Sequence, residues 1–246
     1  MLLNSKIISE KLLKWYDHNA RILPWRVFGR VKVDPYKVWI SEIMLQQTTV
    51  NAVIPYFKLF IQKWPTNNTL CKADLSEVLN MWSGLGYYSR ARNIHRCSSI
   101  VNRDFNNSFP DTETDLLKLP GIGSYTAAAI LAIAFNKRAV VIDGNIKRVI
   151  SRLFFLEKPI KENYKQIWKF TDLITPYSRV GDFAQSLMDL GSQICKSSSP
   201  KCELCPLNKD CQTFLKNKSM LSSKKINYVK KPIKYGLCLI IERTKD

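Results

Sequence analysis

Four cysteines near the end of the chain, Cys195, Cys202, Cys205 and Cys211, stand at C-x6-C-x2-C-x5-C spacing, and no other feature limits the fold as tightly. Four soft thiolates brought together from one short loop suit an iron–sulfur cube, which is held by four cysteine sulfurs. Structural zinc sites more often show two C-x2-C knuckles, and here only Cys202 and Cys205 are so spaced. The opening stretch MLLNSKIISEKLLKWYDHN places Lys6, Glu10, Lys11 and Lys14 among its apolar positions. That pattern reads as an amphipathic helix rather than an export signal, so the cysteines are expected in a reducing compartment, the cytoplasm. Clustered cysteines there point to metal rather than to disulfides. Cys71, Cys97 and Cys238 stand apart and are expected as small buried hydrophobes.

Helical periodicity dominates the rest. Leu75, Val78, Leu79 and Trp82 follow i, i+3, i+4, i+7 behind an Asp74-x-x-Glu77 start signal. From Trp39 to Ile61 the apolar pattern is again helical, and Pro55 is expected to break or kink it because its ring clashes with the preceding turn. Ala127–Phe135 is apolar all round and therefore expected in the interior. Gly144–Phe155 reads as amphipathic, with Ile146, Val149, Ile150, Leu153 and Phe154 on one side. Strand signals appear only at Tyr235–Glu242, behind a lysine-rich linker at Lys216–Lys234. No apolar run approaches the roughly 20 residues that span a bilayer.

The charge balance asks for a partner. The chain carries 38 Lys+Arg against 20 Asp+Glu, a formal charge of +18. Such an excess favours a polyanion, with binding that weakens in salt as counterions are released. A lysine-rich composition without a polyanionic partner would look the same.

Three short motifs carry chemistry. Leu119-Pro120-Gly121-Ile122-Gly123 turns one helix into the next and aims backbone N–H groups from a helix start, a ready anion site. It is also a common helix-to-helix turn. Val140-Val141-Ile142 delivers Asp143 to another helix start, where it serves either as an N-cap or as a stabilised anion. Glu42, in the otherwise apolar or amidic WISEIMLQQTT, is either an exposed helix residue or an acid whose pKa is raised by an apolar wall.

Taken together, WISEIMLQQT, IPYF, WSGLGYYSRARN, LPGIGSYTAAAI, IDGNIKRV, and FAQSLMDLGSQIC with its cysteine loop resemble the adenine DNA glycosylases, the MutY family, over roughly residues 6–215. The resemblance implies a mainly α, two-lobed helix–hairpin–helix DNA glycosylase fold with a C-terminal 4Fe–4S loop on Cys195, Cys202, Cys205 and Cys211. It implies excision of adenine from double-stranded DNA carrying A:8-oxoguanine or A:G mispairs. Glu42 matches the general acid, and Asp143 the carboxylate beside the sugar cation. Tyr125 stands where endonuclease III-type relatives carry a Schiff-base lysine, which implies a monofunctional enzyme with Tyr125 and Asn145 as polar supports. Leu45, Gln47 and Tyr87 match residues that push into the base stack, Gly121 and Gly123 the DNA-binding hairpin, and Trp25 and Arg26 the adenine pocket. Arg90 and Arg92 are expected to face phosphates or form ion pairs.

The expected lobes are residues 28–137, and residues 1–27 joined to 138–215. Residues 216–246 are read as a linker and the first strand of a Nudix-like domain that stops short. The chain is expected to act as a monomer, associated with a bacterial-type nucleoid and not with a membrane. Competing readings are excision of thymine or damaged pyrimidines, and DNA binding without catalysis.

Overall fold

The computed structural model describes residues 5–29 and 32–216, and these are helical with no strand among them. The helix α1, Ser5–Asn19, is followed by α2 at Pro35–Leu45 and α3 at Val50–Lys63. Next come the one-turn α4 at Asn67–Leu70, then α5 at Leu75–Met81 and α6 at Ser89–Phe105. A second one-turn helix, α7 at Glu113–Leu116, leads to α8 at Ser124–Phe135 and α9 at Gly144–Leu153. The series ends with α10 at Tyr164–Ile174, α11 at Val180–Gln193, a 3-10 turn at Cys202–Leu204 and α12 at Gln212–Leu215.

Two apolar clusters organise these helices. One gathers Trp39, Phe60, Trp82, Ile94 and Leu116 from α2 to α7. The other gathers Leu12, Ile146, Ile167, Phe183 and Leu187, so that α1 packs with α10 and α11 at the far end of the chain. Helix α8 belongs to both: Ala127 and Ile130 face the first cluster, while Ala129 and Ala132 face the second. This double burial is why its sequence shows no polar face. Helix α2 packs on one side of α8 and α11 on the other.

Some expectations need correcting. The long pattern from Trp39 does divide, but at residues 46–49, where Gln47 takes a left-handed φ of +57°. Pro55 is instead tolerated inside α3. The helix that leads into the hairpin is the single turn of α7, capped by the Thr112 side chain. Asp74 does precede α5, but its side chain makes no capping bond. Cys97 is buried, whereas Cys71 is only partly covered and its thiol donates to the Asn68 carbonyl at 3.2 Å. The strand expected at Tyr235–Glu242, Cys238 with it, and nearly all of the linker lie outside the described residues. No described helix is long and apolar enough to cross a membrane.

Candidate active site

Helix α2 starts from Asp34, whose side chain accepts the Tyr36 N–H, and Pro35 suits a first helical position because its missing N–H would be unpaired anyway. Almost all of α2 after its first turn is buried, and that carries a carboxylate inside: Glu42 is 6% exposed. The Tyr125 hydroxyl, from the first turn of α8, donates to Glu42 Oε2 at 2.8 Å. Burial pushes the Glu42 carboxyl up to about 7; the Tyr125 hydrogen bond opposes this, the Asp143 charge adds to it and the Arg26 charge subtracts. Burial, with the Glu42 and Asp143 charges adding, also lifts the Tyr125 phenol well above its usual range. Of the two readings of Glu42, the exposed one is excluded.

Asp143 caps α9. Its Oδ1 accepts the Ile146 N–H at 2.6 Å and its Oδ2 accepts the Asn145 amide at 3.0 Å. Asn145 is itself held, because its Oδ1 accepts Arg148 Nη2 at 2.8 Å. Arg148 reaches on to the carbonyls of Gly191 at 2.7 Å and Cys195 at 2.8 Å. The approach of α11 to α9 needs glycine: a Cβ on Gly191 would stand 2.6 Å from the Asn145 Cβ. Capping and a position beside the acid therefore coexist, since Asp143 is near enough to Glu42 and Tyr125 to raise both pKa values.

Behind Glu42 lies a cavity of about 40 Å³, walled by Trp25, Arg26, Leu45, Gln185 and Met188. Arg26 is fixed there by Asp189, accepting from Nη1 at 2.6 Å and from Nη2 at 2.9 Å. Asp189 also takes the Arg21 Nε at 2.5 Å and the Arg21 backbone N–H at 3.0 Å, and its side chain is 0% exposed. Sequence reasoning passed over Asp189 and Gln185. The signal that singled out Glu42, a polar residue in an apolar helical stretch, applies equally to Asp189 in SLMDLG. Asp189→Asn would leave a buried guanidinium without its charge partner, and thermal unfolding is expected to register a loss of about 3–5 kcal/mol.

The remaining expected residues differ in exposure. Leu45 is half-buried on the cavity wall, Gln47 is exposed, and Tyr87 is 59% exposed with a left-handed φ of +48°. In the hairpin, Leu119 and Ile122 are buried and hold the turn down. Gly121 has φ +80°, and a Cβ there would meet the Asn93 Cβ at 2.9 Å, so only glycine fits. Gly123 caps α8 in ordinary extended backbone, so the turn depends on one glycine and not two. Arg90 departs from expectation: it faces neither solvent nor a carboxylate but is 6% exposed and bonded to backbone carbonyls.

Cys195, Cys202, Cys205 and Cys211 are free thiols. Burial pushes up Cys202, Cys205 and Cys211, and the charges of neighbouring cysteines add to it, while backbone hydrogen bonds oppose it at Cys205 and Cys211. Arg152 donates to Cys195 Sγ at 3.3 Å and to the Lys196 and Ser197 carbonyls at 2.6 and 3.1 Å. Among the described residues no group of three or more His, Cys, Asp or Glu is arranged to hold a metal ion. Four cysteine thiols are the donor set that a 4Fe–4S cluster would take. All-thiol donors and a buried arginine beside them fit a group that is anionic once ligated.

The sequence family described as HhH-GPD superfamily base excision DNA repair protein matches residues 40–172. The adenine DNA glycosylase of Buchnera aphidicola subsp. Baizongia pistaciae is 46% identical over 213 residues, 86% of this chain and 60% of that protein. Among solved structures, a thermostable thymine-DNA glycosylase matches with a TM-score of 0.76 at 30% identity, over 86% of this chain and 97% of that one. A non-covalent endonuclease III–DNA complex matches at 0.68 and 25% identity, over 87% and 98%. The chain spans 60–65% of the length of the Buchnera relatives it matches. A buried acid on α2, a helix-capping carboxylate beyond it, the glycine hairpin between them and these likenesses lead to one assignment: the chain belongs to the HhH-GPD superfamily of base excision DNA repair proteins.

Proposed function

We propose that the chain is a monofunctional DNA glycosylase that hydrolyses the N-glycosidic bond of adenine mispaired with 8-oxoguanine or guanine. The observation that carries this reading is Glu42, a buried acid pushed up to about 7 and hydrogen-bonded by Tyr125, with the Asp143 carboxylate nearby. Releasing a purine needs a proton on the leaving base and an anion beside the sugar carbon as it turns cationic, the two-carboxylate logic of glycosidases. Glu42 keeps its proton near neutral pH and delivers it to the adenine ring, and the C–N electron pair leaves with the base. Asp143 faces the cationic carbon, and water adds there, its released proton restoring the Glu42 acid, to leave an abasic site. Tyr125 orients the acid and Asn145 orients Asp143. Position 125 offers a phenol rather than an amine, so no Schiff base forms there and the strand stays intact.

The binding surfaces complete this reading. Trp25 and Arg26 wall the base site. A cavity of about 40 Å³ holds about one water, so a purine needs the wall at Gln185 and Met188 to give way. Leu45, Gln47 and Tyr87 replace stacking where the base has left, and the hairpin at Gly121 and Gly123 meets a phosphate with backbone N–H groups. Extrusion costs a few kcal/mol, least at a mispair. The site lies between the proposed lobes, 28–137 and 1–27 with 138–215, in a protein that acts as a monomer in the cytoplasm on nucleoid DNA.

A 4Fe–4S cluster on Cys195, Cys202, Cys205 and Cys211 belongs to the same proposal. Bound there, it would cross-link the loop that carries the exposed Lys196, Lys201 and Lys209, which would meet phosphates. Iron and acid-labile sulfide are expected at about four each per chain, falling together in Cys202→Ser. Zinc in their place would remove the cluster from the proposal.

The activity is tested by single-turnover reactions on duplexes carrying A:8-oxoguanine, A:G, T:G or thymine glycol, followed by alkali to cut abasic sites. Adenine release that needs alkali for strand cleavage is the expected result. The likeness to a thymine-DNA glycosylase favours a second reading, thymine excision, and cleavage confined to T:G would establish that instead. No turnover by the iron-loaded protein would favour DNA binding without catalysis.

A further inference from the structure

Two loop tips, one between α2 and α3 and one between α5 and α6, carry the exposed residues Gln47 and Tyr87. Both hold left-handed backbone, at φ +57° and +48°. For a residue other than glycine this costs about 1–2 kcal/mol and persists only where the surroundings over-determine it. Here a single side chain supplies the constraint on both tips. Arg90 Nη1 donates to the carbonyls of Ile43, Met44 and Gln46 at 3.1, 2.8 and 2.5 Å. Its Nη2 donates to Thr48 Oγ1 at 3.0 Å and to the carbonyls of Leu85 and Gly86 at 3.0 and 3.3 Å. The residues on either side of Gln47 are thereby held, and so are the two residues before Tyr87. The guanidinium also lies 5.3 Å from the Trp82 ring centre and 5.4 Å from that of Tyr87. Trp82 in turn donates its indole N–H to the Gly86 carbonyl at 3.0 Å.

We infer that Arg90 is a positioning residue that locks the two tips into one rigid wedge, fixing the spacing at which Gln47 and Tyr87 enter a duplex. The inference rests on the proposed function, in which these tips meet DNA. A planar fork is needed because its donors point in set directions toward both loops at once, whereas the compact ammonium of lysine cannot span them. Opening a paired adenine needs both tips at their set separation. An adenine that already bulges from the duplex needs far less of that work.

Amide hydrogen exchange in the full chain tests the coupling without any substrate. Thr48→Val removes one of the guanidinium's bonds in the α2–α3 loop, and it is expected to speed exchange at residues 85–88 as well as at 46–49. Arg90→Lys is expected to speed both loops by about tenfold or more, and adding Thr48→Val to it should change nothing further at 85–88. In excision assays, the ratio of single-turnover rates on an A:G duplex and on a bulged adenine is expected to fall about tenfold in Arg90→Lys, or about 1.4 kcal/mol. General weakening of the fold would lower both rates together and leave the ratio alone. A Thr48→Val effect confined to 46–49 overturns the coupling, and an unchanged ratio in Arg90→Lys does the same. Should Arg90→Lys fail to fold, the Thr48→Val exchange decides. Failure of the parent protein to release adenine from any duplex overturns the proposed activity, and the exchange result then judges the wedge by itself.

Discussion

Glu42→Gln is expected to give a protein that folds, melts higher than its parent at pH 8, and releases adenine about 10³-fold more slowly. The rate loss follows from removing a general acid, which contributes about 10²–10⁴-fold, or roughly 3–5 kcal/mol of barrier. Glutamine keeps the shape, and its carbonyl can still accept from Tyr125, so the pocket is not emptied. The stability gain follows from the acid's own pKa. In the folded state burial pushes it up to about 7 from an ordinary 4.5, so the folded chain holds the proton more tightly than the unfolded one. That contribution is fully present below about pH 4.5 and is lost as pH rises through about 7. At pH 8 the parent therefore carries a buried carboxylate costing about 3 kcal/mol, with each pKa unit worth about 1.4 kcal/mol. Glutamine has no such charge, so its advantage in melting temperature should be several degrees at pH 8 and nearly nothing at pH 4. The parent's excision rate should likewise decline above pH 7 as the acid empties. Near-parental rates in Glu42→Gln would remove this residue from the chemistry, and identical melting at pH 8 would deny that its charge is buried.

Asp143→Asn is expected to slow excision about 10³-fold while costing less than about 1 kcal/mol of stability. Asn caps helices about as well as Asp, so the bond to the Ile146 N–H can survive. The negative charge beside the sugar carbon cannot survive, and preorganised charge of this kind is worth about 10²–10³-fold or more in rate. The new amide would also meet the Asn145 Nδ2, and Asn145 cannot turn to suit it without giving up Arg148. Asp143→Ala loses the cap as well and should cost about 1–2 kcal/mol while slowing excision to a similar degree. Comparing the two variants separates the roles: equal rate losses with unequal melting temperatures support a carboxylate that both caps and catalyses. Near-parental excision in Asp143→Asn, with melting lowered only in Asp143→Ala, would reduce this residue to a cap.

Much of this architecture is legible in local sequence. The period of Leu75, Val78 and Trp82 places α5, and Asp-Gly-Asn after an apolar run places the start of α9. The uniformly apolar Ala127–Phe135 announces an interior helix, although not that two apolar clusters enclose it. The division of α2 from α3 was misplaced to Pro55 because a ring clash is visible in a sequence, whereas a left-handed Gln47 flanked by Arg90 contacts is not. Arg90 itself reads as a surface cation from its neighbours. Its burial depends on carbonyls 44–47 positions away, and a hydroxyl 42 positions away, turning inward together.

What the sequence determined by itself is whatever depends on neighbours within a turn or two: helix periods, the cap at Asp143, and the spacing of four thiols in one loop. Only the tertiary structure decided that Glu42 is an acid out of reach of water, that Arg26 is pinned by Asp189, and that two loop tips share one guanidinium. These follow from desolvation and from charge pairing across great separations, with Asp189 lying 163 and 168 positions from its two arginines. No local pattern encodes them, because the energy of a buried charge depends on what the rest of the chain brings beside it.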